Sequence, residues 1–392
     1  MEKVKLNEVT WFQEGPGVRN TQYTESGVKL LNVANLINGK VVLSNTSRFI
    51  SEDEAFGKYK HFLCDDGDLI IASSGIKVEY LDKKMGFVTK DMLPLCMNTS
   101  TIRFKVKDKN QLNIKYLMYF FKSNIFKDQI QKLITGSAQL NYGPSHLNKV
   151  FIKMNTMNKQ KEIVNKLDKI TNMIENQEKM IKKYDDLIKS QFIEMFGDPL
   201  SNNLFELHEL NTVCDVRDGT HDSPKYHDIG YPLITSKNII DGGISFEDVN
   251  LISKEDYDKI NQRSFVDNGD ILMPMIGTIG NPIIVDKIRD FAIKNVALIK
   301  FYKDSKIDNH FLYYLMKSDS FNHYLKDKNK GGTQKFVSLG IIRKIKIITP
   351  PIELQNQFAD FVKHIDKLKF TLKQTLEKLG NCYHSLMQEY FE

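Results

Sequence analysis

Cysteine is scarce in this 392-residue chain. The four present, Cys64, Cys96, Cys214 and Cys382, never form a Cys-x-x-Cys pair. That argues against a disulfide framework or a structural zinc site built on paired thiolates. It suits a reducing compartment, and a cytoplasmic location is the expectation. Long apolar runs are also missing. No stretch of about 18 apolar residues exists, so a membrane span is excluded. No basic start leads into an apolar run, so secretion is not expected. Arginine is rare, with seven residues: Arg19, Arg48, Arg103, Arg217, Arg263, Arg289 and Arg343. Cationic surface therefore comes mainly from Lys, which meets phosphate as a point charge and lacks the fork that reads guanine. Glycine-rich nucleotide loops are absent too. Gly277 and Gly280 make a G-x-x-G, which is neither a dinucleotide fingerprint nor a P-loop.

What is there has the balance of an ordinary globular protein, 41% hydrophobic and 27% charged. The length suggests two domains of about 150 residues with connecting structure. A net charge of +6 permits a nucleic-acid partner without demanding one.

The chain repeats itself. SQFIEMF at 190–196 matches SLMQEYF at 385–391, an offset of 195 that aligns Ser190 with Ser385 and Phe196 with Phe391. The same offset aligns FFKS (120–123) with LMKS (315–318), Gly136 with Gly331, Gln139 with Gln334 and Gln160 with Gln355. Upstream the offset becomes 202, setting DDGDLIIASSG (65–75) against DNGDILMPMIG (267–277). Ordered matches over this span indicate a tandem duplication with a loop-length difference inside it.

Each copy has two parts. The first mixes strand-like runs (LIIAS, TIRFKV and KVFIKM; ILMPMI, NVALIKF and KIKIIT) with helical patterns such as 114–133 and 308–325. It reads as an α/β or α+β globular domain. The second part is a heptad seam. Ile163, Leu167, Ile170, Ile174, Gln177, Ile181, Tyr184, Ile188, Gln191 and Met195 alternate spacings of four and three. Phe358, Val362, Ile365, Lys369, Leu372, Leu376, Leu379, Tyr383, Leu386 and Tyr390 repeat the phase. Gly197 and Pro199 suit the end of the first helix, and Pro350 and Pro351 the start of the second. Helices of about 40 residues would run about 60 Å, too long for either globular part to bury, so each is expected to pair with the other. If both copies share one domain-to-helix geometry, the pair is antiparallel about a pseudo-two-fold axis and forms a calliper. Duplex DNA repeats about every 34 Å, a natural object for two readers held apart.

Four stretches, SQFIEMFGDP, DGTHDSPKYHDIGYPLITSKNI, NGDILM and ITPPIELQNQFADFV, resemble the specificity (S) subunits of Type I restriction–modification systems. The resemblance covers nearly the whole chain. It implies a target-recognition domain at 1–155, a conserved spacer helix at 156–197, a second recognition domain at 198–350 and a second spacer helix at 351–392. It also implies double-stranded DNA as ligand, each domain reading half of a bipartite site while the helices set the unread gap. Two modification (methyltransferase) subunits dock on such a subunit and supply the S-adenosylmethionine chemistry, and a translocating restriction subunit joins in complete systems. The chain itself then has no catalytic residue, no metal and no cofactor of its own. The first copy departs from the pattern: MNTMNKQKEI lacks the Pro-Pro of ITPPIELQNQ, so the start of its helix is expected to be less sharply set. Its VTWFQEGPG also lacks a Gly-Thr-His.

The loop DGTHDSPKYH (218–227) crowds Thr220, His221, Lys225 and His227 together, near Arg217 and before Lys237. A metal or hydrolytic site needs ligands brought from several places, and the first copy has no histidine here, so neither is expected. Two readings stay open: a loop touching phosphate or a base edge, or a turn whose Asp and Thr satisfy their own backbone.

GSAQLNYGPSHLNKV (136–150) and GGTQKFVSLGIIRKI (331–345) occupy matching places. Gln139 and Gln334 can bond adenine, with Ser137, Asn141 and Thr333 beside them; Tyr142 or Phe336 can pack on sugar or a thymine methyl. Lys149, Lys335, Arg343 and Lys344 can neutralise phosphate. IASSGIK (71–77) and MIGTIGN (275–281) also match, offering Ser73, Ser74, Lys77 and Thr278 as phosphate donors. Plain helix-to-strand connections and hairpin turns would carry the same residues. Two decoys are set aside. ITPPIE lacks the polar and stacking residues of an amino-methyltransferase tetrad, and Asp82-Lys83-Lys84 matches a nuclease fragment at the level of chance. A DNA-recognition subunit is the first reading. A self-sufficient restriction–modification enzyme fragment and a coiled-coil scaffold with two protein-binding domains are its rivals.

Overall fold

The computed structural model describes residues 2–134, 141–200, 204–240, 242–277, 279–328 and 336–392. The chain divides into two compact units, one comprising Met1–Asn176 and Thr375–Glu392, the other Gln177–Gln374. Each holds one globular part, the start of one long helix and the end of the other.

In the first unit a four-stranded sheet runs in the order Thr10–Glu14, Thr101–Val106, Leu69–Ala72, Met85–Phe87, each pair antiparallel. Leu69–Ala72 is buried at every position, which is why its apolar run does not alternate. A smaller sheet pairs Val28–Leu31 antiparallel with Phe49–Ile50 and parallel with Leu95–Met97. Glu2–Lys5 and Phe151–Met154 form a separate ribbon. The 114–133 pattern resolves into two helices, Ile114–Lys122 and Asn124–Leu133. Ser123 between them is extended, and its hydroxyl accepts the Phe126 N–H.

The second unit repeats this plan. Its sheet runs Asp215–Asp218, Val296–Lys300, Ile271–Pro274, Ile283–Ile284. Tyr231–Ile234 pairs parallel with Ala292–Ile293, whereas Leu207–Glu209 pairs antiparallel with Lys346–Ile348. Ser318 separates Asn309–Lys317 from Asp319–Lys328 and caps the second through Phe321 N–H. Mostly antiparallel sheets with segregated helices make each unit α+β.

The long helices are Met157–Phe196 and Ile352–Phe391, and their burial follows the heptad seam. In the first unit Ile163 and Leu167 share a core with Met387, Tyr390 and Phe391, and Lys166 Nζ lies 3.3 Å from Tyr390 Oη. In the second, Ile188, Phe192 and Phe196 share a core with Phe358, Val362 and Ile365. There Lys369 meets Asp185 at 2.6 Å, and the rings of Phe196 and Phe358 lie 5.6 Å apart. One helix advances as the other retreats, so the pairing is antiparallel. Ile170, Ile174, Ile181, Leu372, Leu376, Leu379 and Leu386 are half-buried. The polar seam residues behave differently. Lys369 is engaged by Asp185 and Asp366, whereas Gln177 Oε1 is buried without a partner among the described residues.

The first helix ends where Gly197 turns to φ 67° and its N–H reaches Ile193 O at 2.8 Å, a left-handed cap that glycine adopts without strain. Its start is tied down as well, contrary to the expectation from the missing Pro-Pro. Thr156 stands where the second copy has Pro351, and its hydroxyl accepts the Lys159 N–H. Among the described residues, no helix is long and apolar enough to cross a membrane.

Candidate nucleic-acid interface

At one end of each four-stranded sheet, four chain segments are stitched edge to edge. In the first unit Gly15 N–H bonds Thr101 O at 2.9 Å, Ser73 N–H bonds Ser100 O at 2.8 Å and Tyr142 N–H bonds Ser73 O at 3.0 Å. Ser74 bridges to Asn141. In the second, Gly219 N–H bonds Val296 O at 3.0 Å, Met275 N–H bonds Asn295 O at 3.3 Å and Val337 N–H bonds Met275 O at 3.0 Å. Ile276 bridges to Phe336. Ser100 and Asn295 both take positive φ, 67° and 53°, to turn the chain at this edge. A Cβ on Gly15 would stand 2.0 Å from Asn98 O, and one on Gly219 2.1 Å from Ile293 O. The close approach of backbone to backbone requires glycine there. Two loop pairs that the sequence matched only as repeats thus meet in space, in the same way in both units.

The side chains on this row divide into exposed and engaged groups. Asn141 and Phe336 stand on the row and are exposed, and Lys77 follows it closely; Lys149, Lys225, Lys237 and Lys344 are exposed elsewhere on their units. Lys77 lies 3.7 Å from Glu79. Ser74 Oγ bonds Ser100 Oγ at 2.6 Å. Thr220 Oγ1 accepts the Asp222 N–H at 3.1 Å, so the turn reading holds for this threonine.

Two expected contacts are corrected. Tyr142 is buried and its hydroxyl donates to Ala72 O at 2.8 Å, so it positions the loop and does not pack on a sugar. Ser73 is fully buried, its hydroxyl without a partner among the described residues, and cannot reach a phosphate. Both arginines are engaged by the protein. Arg217 donates to Asp215 Oδ2 at 2.8 Å and to Arg263 O at 2.9 Å. Arg343 donates twice to Val216 O, at 2.9 and 2.7 Å. Ser137, Gln139, Thr278, Thr333, Gln334 and Lys335 lie outside the described residues.

The histidine loop contains a cluster that its sequence did not reveal. Asp218 is buried, and its carboxylate receives His221 Nε2 at 2.8 Å and the Arg263 guanidinium. His221 Nδ1 lies 2.8 Å from Asn295 Oδ1. The bond to Asn295, then that to Asp218, raises the His221 pKa above its ordinary value. Lys294 Nζ reaches Ser223 Oγ at 2.5 Å. His221 is thus a clamp with both ring nitrogens engaged. Arg263 comes from the helix Lys254–Ser264, and its rarity was the only sequence signal for it.

The remaining motifs are structural. Asp65 and Asp68 hold Lys105, and Asp267 and Asp270 hold Lys300, so the repeated D-x-G-D pins a turn to its sheet. Asp82 pairs with Lys127 at 3.3 Å. Burial pushes the Cys96 and Cys214 thiols up to about 12, which makes them poor nucleophiles. Among the described residues, no three His, Cys, Asp or Glu side chains converge as a metal site would.

A family profile described as "Type I restriction modification DNA specificity domain" matches residues 1–183 and 202–379, one match per copy. The Type I restriction enzyme MjaVIII specificity subunit of Methanocaldococcus jannaschii is 26% identical over 193 residues, 47% of this chain and 44% of that protein. The chain therefore aligns with somewhat less than half the length of this relative. The crystal structure of a Type-I restriction-modification system S subunit from M. genitalium superposes with a TM-score of 0.54 at 16% identity, covering 100% of this chain and 96% of that one. A chain from a structural study of complex assembly and conformational transition of the type I R-M system gives 0.57 at 15% identity, covering 99% and 96%. At such identities the likeness is one of fold. Two profile matches that together take in most of the chain place it firmly: it belongs to the Type I restriction modification DNA specificity domain family.

Proposed function

We propose that the chain is the DNA-recognition subunit of a Type I restriction–modification complex. Each unit reads one half of a bipartite duplex site through its row of stitched loops, and the paired helices set the unread gap and dock two modification subunits. The observation that carries this reading is the loop row itself, built twice at the same sheet end from segments far apart in sequence. Exposed lysines of each unit supply the salt-sensitive phosphate contacts, and Gln139 and Gln334 supply base readout. The chain carries no chemistry of its own. S-adenosylmethionine is bound by the modification subunits, and a restriction subunit is a further partner.

Methylome sequencing with and without this chain tests the proposal. A two-part methylated motif that vanishes with the chain is expected, and an unchanged methylome would sink it. Within the complex, Gln334→Ala should weaken cognate binding by roughly 1–3 kcal/mol and relax preference in one half-site alone. Methylation by the purified chain without partners would instead make it a self-sufficient enzyme.

A further inference from the structure

The two units differ in one hairpin. Leu69 pairs with Phe87 in the first unit, and the counterpart Ile271 pairs with Ile284 in the second. Seventeen residues separate the first pair and twelve the second, so the first hairpin is five residues longer. The surplus lies in a 3-10 turn, Val78–Lys83, and it is firmly anchored. Leu81 is fully buried in the core. Asp82 meets Lys127 at 3.3 Å, and Lys83 O accepts the Gly39 N–H at 3.1 Å. What is left of the groove beneath it is about 240 Å³, bounded by Asp82, Lys122, Tyr383 and His384.

In the second unit the corresponding groove is open. It measures about 600 Å³ and is bounded by Gly242, Ile284, Tyr314, Lys317, Lys189 and Phe192. Gly242 is the counterpart of Gly39, Lys317 of Lys122, and Lys189 of His384. The shorter hairpin touches the neighbouring helix at Asn322, the counterpart of Lys127, where a Cβ on Gly280 would stand 2.7 Å from Asn322 Oδ1.

We propose that this groove docks a short extended segment of a partner polypeptide that presents an aliphatic side chain followed by a carboxylate. In the first unit the chain's own Leu81 is buried beside this place. Asp82 borders the groove with Lys122, the counterpart of Lys317, while its ion pair is made with Lys127, which the second unit replaces by Asn322. The aliphatic group would lie on Ile284, Tyr314 and Phe192. The carboxylate would meet Lys317, whose ammonium touches Tyr313 Oη at 3.2 Å and keeps further donors. Lys189 adds a second cation, while Lys369 is already held by Asp185 and Asp366. The Leu81 and Asp82 of a second copy are not the occupant, because they are locked in its own first unit.

The test uses the full chain and a fluorescein-labelled peptide, Val-Glu-Tyr-Leu-Asp-Lys-Lys, copied from residues 78–84. Anisotropy should report saturable binding. Lys317→Glu, checked for folding by circular dichroism, should weaken it by about tenfold, the scale of one charge-assisted hydrogen bond. Replacing the peptide's Asp by Asn should do the same. Absence of saturable binding, or equal affinity with both changes, would overturn the proposal. Self-association of the chain that Lys317→Glu abolishes would also overturn it, by making a second copy the occupant.

Discussion

Gln160 and Gln355 make the same three hydrogen bonds, 195 residues apart in the chain. Gln160 accepts the Asn113 N–H at 2.9 Å and donates to Gln111 O at 2.8 Å and Asn155 O at 2.9 Å. Gln355 accepts the Asp308 N–H at 2.9 Å and donates to Lys306 O at 2.9 Å and Pro350 O at 2.7 Å. Both are fully buried. Each staples the first turn of a long helix to the loop before a short one, fixing how a rod leaves its globular part. Gln160→Leu or Gln355→Leu strands a buried N–H and should cost about 1–3 kcal/mol in denaturant unfolding. The two losses should be nearly additive. A loss under about 0.5 kcal/mol at either site would refute the staple.

The ion pair of Lys369 with Asp185 sits where the first unit has Ile174 and Gly380. It is therefore a feature of the second unit alone. Lys369 is largely covered and Asp185 half exposed, so salt should screen the pair only in part. A double-mutant cycle with alanine should return a coupling of about 0.5–3 kcal/mol, and exchanging the two charges should recover part of the loss. Zero coupling would mean that the pair contributes packing alone.

His221 should make stability depend on pH in a defined direction. Its pKa is raised by Asn295 and Asp218, so the folded state holds the proton more tightly than the unfolded chain. The stabilisation is complete below the unfolded value of about 6.5 and is lost as pH rises through the higher folded value. The melting-temperature gap between wild type and His221→Ala should therefore be widest in mild acid and shrink towards pH 9. A gap that widens with pH would contradict the clamp.

Gly15→Ala and Gly219→Ala should destabilise the two units alike. Each Cβ would meet a backbone carbonyl at about 2 Å, and backbone cannot swing aside as a side chain can. Losses of about 1–3 kcal/mol are expected from thermal melts. Wild-type stability for either variant would show that the loop row yields freely.

Salt dependence separates the exposed cations from the engaged ones. Alanine at Lys77, Lys149, Lys225, Lys237 or Lys344 should flatten the slope of log affinity against log salt by about 0.9 for each phosphate that the lysine neutralises. Arg217→Ala and Arg343→Ala should leave the slope nearly unchanged and lower stability instead, because their guanidinium groups hold Asp215 and Val216. Equal slope changes from both groups would reverse this division.

Much of the fold was legible because it rests on short-range regularities. The heptad seam announced both long helices, and burial follows its positions from Ile163 to Tyr390. The internal offsets announced two equivalent units, down to the paired glutamines. The site was less legible. Tyr142 looked like a stacking residue, and only its burial against Ala72 reassigns it. His221 looked like a contact residue, while its nitrogens turn inward to Asp218 and Asn295. A missing Pro-Pro suggested a loose helix start, and Thr156 replaces it with a side-chain cap.

The sequence by itself determined the duplication, the two long helices and the glycine and serine punctuation around them. Periodicity and capping are local, and each is written in neighbouring residues. Only the tertiary structure decided which loops share one sheet end, which cations are left facing outward, and which hairpin leaves a groove open. Those outcomes depend on strand register and on what packs behind each side chain, and residues such as Ser73 and Tyr142, or Asp218 and Arg263, meet only after the chain has closed.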